Sequence, residues 1–421
     1  MLNFSIILNI KITLKIIRIF VESQRLNKFN RYICIIPNRT DNKGKIRLNE
    51  KYVESNRQKI LCVGVSCLDI VQTCKQYPVE DSDQRSIECR WQRGGNASNS
   101  CTVLSLLGSS CEFFGTLSAE EHLNFFQNDM QKYNIDFSHC PMIKKIGCPI
   151  STIILSLSSG SRTIVHHNPN LPELTLKNFE QLHLEDYSWI HFEGRNLNEV
   201  LSMMQCVENY NNMLNYSQDN KEIDTNQAPI TISVELETPK QELLDLLPYV
   251  DLVFIAKDFA QSRGYENMSE TLKNIGEEAK SGATLICAWG DRGAMARTPD
   301  NIIVQSPAFP PQKVIDTLGA GDTFNAAVLH FLNKAKLEFI RKRNLQTNEA
   351  TSVLHTDVKM ERNIKMNYNI ESLECSHTEF ITQNVLQGAV TFGCQVAGTK
   401  VGLKGYDKLN EIFKNALCQI K

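Results

Sequence analysis

The run Val314-Ile315-Asp316-Thr317-Leu318-Gly319-Ala320-Gly321-Asp322-Thr323-Phe324-Asn325 carries the most informative chemistry in the chain. Two glycines stand just ahead of residues with helical apolar spacing, so the N–H groups of a helix N-terminus can turn toward one point and form an anion site. Asp322 stands at its edge. A carboxylate there would repel a phosphate that was merely bound, but it suits a site where a neutral hydroxyl loses its proton as a phosphoryl group arrives. The alternative is that Asp322 is the helix N-cap. As a base at a helix N-terminus, it is expected to be held in its charged form by the dipole and so to be a weak one.

A second constellation, Arg93-Gly94-Gly95-Asn96-Ala97-Ser98-Asn99-Ser100, also opens a helical pattern. The glycines permit close backbone approach. Asn96 and Asn99 share one helical face, and their amides can both donate and accept, which suits a polyol better than a phosphate. Asp69 follows the first apolar run, either where a strand end meets a ligand crevice or as an ordinary cap or turn residue. No Gly-x4-Gly-Lys-Ser/Thr occurs and no Gly-x-Gly-x-x-Gly opens a helix, which disfavours P-loop and dinucleotide folds. The nine histidines include no His-Glu-x-x-His, and adjacent His166 and His167 would point opposite ways from a strand. No metal ligand is expected.

The elements that position these residues follow from periodicity. Ile60 to Val65, Ser188 to Phe192, Ile230 to Glu235, Leu252 to Ala256 and Thr284 to Ala288 are apolar runs of strand length. Ala97 to Leu107, Glu120 to Lys132, Asn198 to Asn209, Ser269 to Lys280 and Asp322 to Lys334 repeat apolar residues at helical spacing. Such alternation predicts an α/β fold with a mostly parallel sheet covered by helices on both faces. Ser86 to Arg93 alternates as a half-buried strand, and Ile150 to Leu157 with Arg162 to His167 flank a hairpin turn. Together they predict a small second sheet acting as a lid over a ligand.

The chain has 421 residues, 42% hydrophobic and 22% charged, enough for one large domain with additions. With 45 basic and 47 acidic residues it has no global basic excess for a polyanion such as nucleic acid. Its 14 cysteines are scattered without a Cys-x-x-Cys pair, as reduced thiols of a cytoplasmic protein would be. Residues 1–58 read as a disordered or spurious N-terminal extension. Their longest uncharged run, Met1 to Ile10, is far below the ~18 apolar residues of a membrane span. Lys11, Lys15 and Arg18 give a basic amphipathic face, without the Ser and Arg richness of a presequence. The domain is placed at 59–407, with lid segments near 69–93 and 150–167, a flexible insertion at 337–379 and a C-terminal tail at 408–421.

Gly94-Gly95-Asn96 and Asp316-Thr317-Leu318-Gly319-Ala320-Gly321-Asp322 resemble the paired signatures of the ribokinase family of carbohydrate kinases. Trp91 to Ser100, Gly160 to Ile164, Ile190 to Asn196 and Phe392 to Gly398 resemble one ketose-phosphorylating member more closely. The resemblance runs from about Lys59 to Asp407, outside the 337–379 insertion. It implies a ribokinase-like fold with a β-clasp lid, and an ATP-dependent kinase acting on the C1 hydroxyl of fructose or a related ketose. It further implies Asp322 as catalytic base and Gly319, Ala320 and Gly321 as anion hole. By the same resemblance Asp69, Gly95, Asn96 and Asn99 bind sugar, and Arg162, Gly290, Asp291, Arg292 and Gly293 join Gly319 to Gly321 in binding ATP. It implies a homodimer in which Asp81 reaches the sugar of the partner subunit. Mg²⁺ is expected with ATP, and K⁺ is a further candidate ion.

Two departures stand out. Ala256-Lys257-Asp258 replaces the Asn-x-x-Glu motif with which many members organise Mg²⁺, so the ion is expected to be held mainly through phosphates and waters. Val401 stands where a more polar or thiol-bearing adenine-pocket side chain is expected. The rival readings are ribokinase-like or adenosine kinase-like specificity, or a catalytically silent sugar or nucleotide sensor. The presence of Asp322 and its glycines counts against the sensor, and Asp69, Asn96 and Asn99 favour a free polyol over a nucleoside.

Overall fold

The computed structural model describes residues 58–219, 228–357 and 378–412, with side chains for all of these except 215–219 and 346–357. In chain order its first half runs β1 (Lys59–Val63), β2 (Cys67–Cys74), β3 (Glu88–Gly94), α1 (Asn96–Leu106), β4 (Cys111–Phe114), β5 (Leu117–Ser118), α2 (Leu123–Lys132) and β6 (Met142–Ile143). Then follow β7 (Ile150–Ser156), β8 (Arg162–His167), α3 (Leu176–Phe179), β9 (Tyr187–Glu193), α4 (Leu197–Asp219), β10 (Thr231–Leu236) and β11 (Leu252–Ala256). The remainder is α5 (Lys257–Ser262), α6 (Met268–Glu278), β12 (Thr284–Ala288), β13 (Ala294–Arg297), β14 (Ile303–Ser306), α7 (Ala320–Asp357) and α8 (Gln383–Val401).

Eight strands form the main sheet in the order β14-β13-β12-β11-β10-β9-β1-β4. The pairs from β4 to β12 are parallel, and β13 and β14 close the edge antiparallel. Alternate residues serve opposite faces. Leu61, Val63, Ile190, Phe192, Ile232, Val234, Val253 and Ile255 pack with Val200 and Met203 of α4 and Leu272 and Ile275 of α6 in one buried cluster. The other face meets α1 and α7, where Glu235 accepts from Asn325 at 2.8 Å and Ser188, at the bulge that opens β9, bonds Asn333 at 2.8 Å. Topology therefore sets Glu193 and Glu235, register partners at the carboxyl ends of β9 and β10, side by side. Ligands of open α/β sheets bind at that edge.

The lid is a four-stranded sheet, β3-β2-β7-β8. The Ser158 to Ser161 hairpin is present, its turn using Gly160 at φ 67°. Asp69 lies within β2, opposite Gln92 of β3, rather than in a cap or turn. A lone carboxylate inside an apolar run reads as a strand end, and the pairing that makes it a strand is with residues far along the chain.

The insertion placed at 337–379 is in part regular structure, because α7 continues unbroken to Asp357. Glu338, Arg341, Lys342 and Arg343 are strong helix formers, and Glu338 pairs with Lys342 one turn on at 3.0 Å. A helix needs no apolar stripe to continue from a docked start. Residues 358–377 lie outside the described residues, as do 1–57 of the N-terminal extension and 413–421 of the C-terminal tail. Gln58–Tyr406 forms one compact unit; the described part of the other opens a helical turn in which Ile412 N–H bonds Lys408 O at 3.3 Å. No helix among the described residues is long and apolar enough to cross a membrane, and the eleven described cysteines are all free.

Candidate active site

The start of α1 is fixed from both sides. Gly95 adopts φ 95°, and a Cβ there would run into the Val65 carbonyl, so only glycine turns the chain into the helix at this point. Buried Arg93 bonds Ser98 O at 2.7 Å, Thr102 Oγ1 at 2.6 Å and Asp129 at 2.7 Å, clamping the first turn. Asn99 then points across to α7, where its Nδ2 donates to Asp322 Oδ2 at 2.7 Å. This bond joins the two glycine motifs across 223 residues. Asn96 Nδ2 donates to Glu235 at 2.7 Å and also to Glu237, leaving its carbonyl oxygen to accept.

Asp322 is the third residue of α7, and its hydrogen bond goes to Asn99 rather than back to the helix start, so it is not the N-cap. Nor does the dipole hold it charged. Burial, reinforced by the carboxylates of Glu237 and Glu193, raises its pKa to about 7, against the lowering effects of Asn99 and Lys400. Glu235, buried beside Glu237, Asp322 and Glu193, is also pushed well above the usual carboxylate range. Glu193 is raised by burial as well, although Arg195 pairs with it at 3.0 Å and Val65 N–H donates to it at 2.9 Å.

A base must be deprotonated to act, so kcat/KM for the acceptor should rise with pH through about 7. Replacing Glu237 with Gln removes a negative charge that raises Asp322 and should move this acid limb to lower pH. A profile flat between about pH 5.5 and 8, or unmoved in Glu237→Gln, would contradict the assignment.

Asp69 is buried below Gly94, where any Cβ would collide with its carboxylate, and Cys67 Sγ donates to it at 3.3 Å. Burial raises its pKa to about 6, opposed by hydrogen bonds from Cys67, Ser151 and Gln92. Arg162, at the start of β8, reaches Thr317 Oγ1 at 3.4 Å, so the lid hairpin touches the glycine motif. Gly290, Asp291 and Arg292 form an exposed turn after β12, closed by buried Gly293, and leave from the same carboxyl edge of the sheet. Gly293 takes φ 81°, and a Cβ there would meet the Ser306 carbonyl. Asp81 stands apart, exposed on the loop between β2 and β3.

Sequence reasoning missed the residues that hold the glycine motif in place. Asp316 Oδ1 accepts from Leu318 N–H at 3.0 Å, and its Oδ2 accepts from Arg90 of β3 at 3.0 Å and from Gly405 N–H at 3.1 Å. Buried Lys400 donates to the Asp316 carbonyl at 3.0 Å and to that of Leu318. Lid, glycine motif and the end of α8 therefore meet at one carboxylate. Glu193, Glu235 and Glu237 were missed too; all three stand at the ends of apolar strand runs, and Glu193 also lies in the Ile190 to Asn196 stretch of the resemblance.

Sheet order, lid and paired glycine motifs together define a carbohydrate-kinase fold. The chain belongs to the pfkB family of carbohydrate kinases, whose model matches residues 57–340. It is 39% identical over 350 residues to the ketohexokinase of Mus musculus, covering 83% of this chain and 98% of that one. The ribokinase structure from Giardia lamblia matches with a TM-score of 0.63 at 14% identity, covering 87% of this chain and 100% of that one. The Arabidopsis thaliana ribokinase complexed with ribose and ATP matches with a TM-score of 0.58 at 13% identity, over 86% and 98%. At such identities the two structures speak for the fold.

Proposed function

We propose that this chain transfers the γ-phosphoryl group of ATP to the C1 hydroxyl of fructose. The observation that carries the reading is the Asn99–Asp322 hydrogen bond, which puts an amide suited to a polyol and a buried carboxylate at one point beside the start of α7. The likeness to a ketohexokinase over most of both chains supports the choice of acceptor.

In this reading Asp69, Gly95, Asn96 and Asn99 hold the ketose, and Asp322 accepts the C1 proton. The C1 oxygen bonds to the γ-phosphorus while the bond to the β-phosphate oxygen breaks and ADP leaves with its electron pair. Of the Gly319, Ala320 and Gly321 anion hole, Gly319 and Gly321 direct N–H groups at the developing charge, while the Ala320 N–H, which donates to Thr317 O at 3.3 Å, would be shared with it. Arg162 and the Gly290 to Gly293 turn serve the nucleotide. Carboxylate oxygens of Glu235 and Glu237 suit a hard cation, but no group of three or more His, Cys, Asp or Glu among the described residues could hold one. Mg²⁺ would be held mainly through the ATP phosphates and water, as the resemblance implies, and would neutralise phosphate charge there. ATP consumption across fructose, tagatose, xylulose, ribose and adenosine tests the acceptor. Fructose should give the highest kcat/KM, and a best rate with ribose or adenosine would defeat the assignment.

The lid supports a second part of the proposal, a homodimer with shared sites. Ile87, Trp91 and Val165 are exposed, by 52 to 64%, on one face of its strands and their approach, an apolar surface suited to a second copy. Asp81→Ala should then raise KM for the sugar far more than for ATP. Hybrids with a subunit inactivated at Asp322 should depart from the activity of simple dilution. A fully active monomer at assay concentration would rule the dimer out.

A further inference from the structure

The segment after α8 returns to the glycine motif and fastens to it. Ile315 N–H donates to Val401 O at 2.9 Å, Gly405 N–H to Asp316 Oδ2 at 3.1 Å, and Lys400 to the carbonyls already described. These contacts set Tyr406 directly behind Gly319. A Cβ built on Gly319 would fall on the Tyr406 hydroxyl oxygen, while Asp322 Oδ2 lies 3.6 Å from that same point. The ring lies 5.5 Å below Lys400 Nζ. Tyr406 is only 7% exposed, and its hydroxyl has no hydrogen-bond partner among the described residues. A buried hydroxyl without a partner is costly unless another state of the site supplies one.

We propose that the Tyr406 hydroxyl is a catalytic residue that donates a hydrogen bond to a non-bridging oxygen of the phosphoryl group in transit beside Gly319. The inference rests on reading the Gly319 to Gly321 backbone as the anion hole. Tyr406 passes on no proton: the C1 proton goes to Asp322, the new bond is C1 oxygen to γ-phosphorus, and the broken one leaves with ADP. The phenol is suited to donating, because burial and the Asp322 and Asp316 carboxylates push its pKa well up and keep it protonated. A partner with spread negative charge matches an O–H that finds no other acceptor.

Tyr406→Phe removes one oxygen and keeps the ring under Lys400. It should lower kcat by roughly 10- to 100-fold, as for one hydrogen bond to a charged group, leave KM for the sugar within about twofold, and leave Tm unchanged or raised, since the lost group has no partner among the described residues. A second measurement is independent of the acceptor. ADP with fluoroaluminate, which mimics the phosphoryl group in flight, should raise the Tm of the wild type more than that of Tyr406→Phe, while ADP alone shifts both equally. A variant with kcat within about twofold of wild type and the same fluoroaluminate shift would overturn the proposal. If the wild type ignores fructose but the fluoroaluminate shifts differ, the acceptor assignment falls and the Tyr406 role stands.

Discussion

Asp322→Asn should lower kcat by about 10² to 10⁴, the range of a lost general base, while ATP still binds. Asparagine keeps the size and can still accept from Asn99, so the bond between the glycine motifs survives. The folded-state pKa of about 7 lies above the ordinary value of 3.8. The stability linked to this carboxyl is therefore present below the ordinary value and is lost as pH rises through the folded one. Removing the charge should leave Tm at pH 8 no lower than that of the wild type. Because little basicity is demanded until the acceptor oxygen has begun to bond phosphorus, a carboxylate that mainly orients the hydroxyl and takes its proton late is sufficient. A variant that kept more than about a tenth of wild-type kcat would demote Asp322 and move the search for the base to Asp69.

Gly319→Ala should be nearly as damaging, for a different reason. Gly319 holds φ 72°, a conformation that costs an alanine about 1–2 kcal/mol. The added methyl would also overlap the Tyr406 hydroxyl. The backbone must shift, and with it the N–H groups at the head of α7, so kcat should fall about 10² to 10³, as when one oxyanion donor is lost. Gly321→Ala is the control for the fold. A Cβ at Gly321 meets nothing within 4 Å, so that variant should keep its Tm while Gly319→Ala loses several degrees. Equal melting of the two would show that Gly319 is not held as described.

The parallel strands and their helices were legible because a strand buried on both faces must be a continuous apolar run and a covering helix must repeat every third or fourth residue. The lid hairpin declared itself through its Ser-Ser-Gly-Ser turn. Asn99 and Asp322 were legible as chemistry, but not as partners, since their bond spans 223 residues. The same limit hid the carboxylates. Glu193 and Glu235 become neighbours only through strand order, and burial with the carboxylates of Glu237 and Glu193 reverses the charge preference expected of Asp322 from its helix end alone. Lys400, Arg90 and Tyr406 carry no local motif and acquire meaning only where the end of α8 and the lid close on Asp316. The continuation of α7 past Lys336 was obscured because charged helix formers and a polar insertion have much the same composition.

The central claim is tested most directly by incubating the full chain with ATP, Mg²⁺ and fructose and locating the phosphate by phosphorus and carbon NMR of the product. A phosphorus coupling to C1, with ADP formed in equal amount and the signal lost in Asp322→Asn, is the predicted result. Phosphate on another carbon, or no sugar phosphate while ribose or adenosine is turned over, would contradict it.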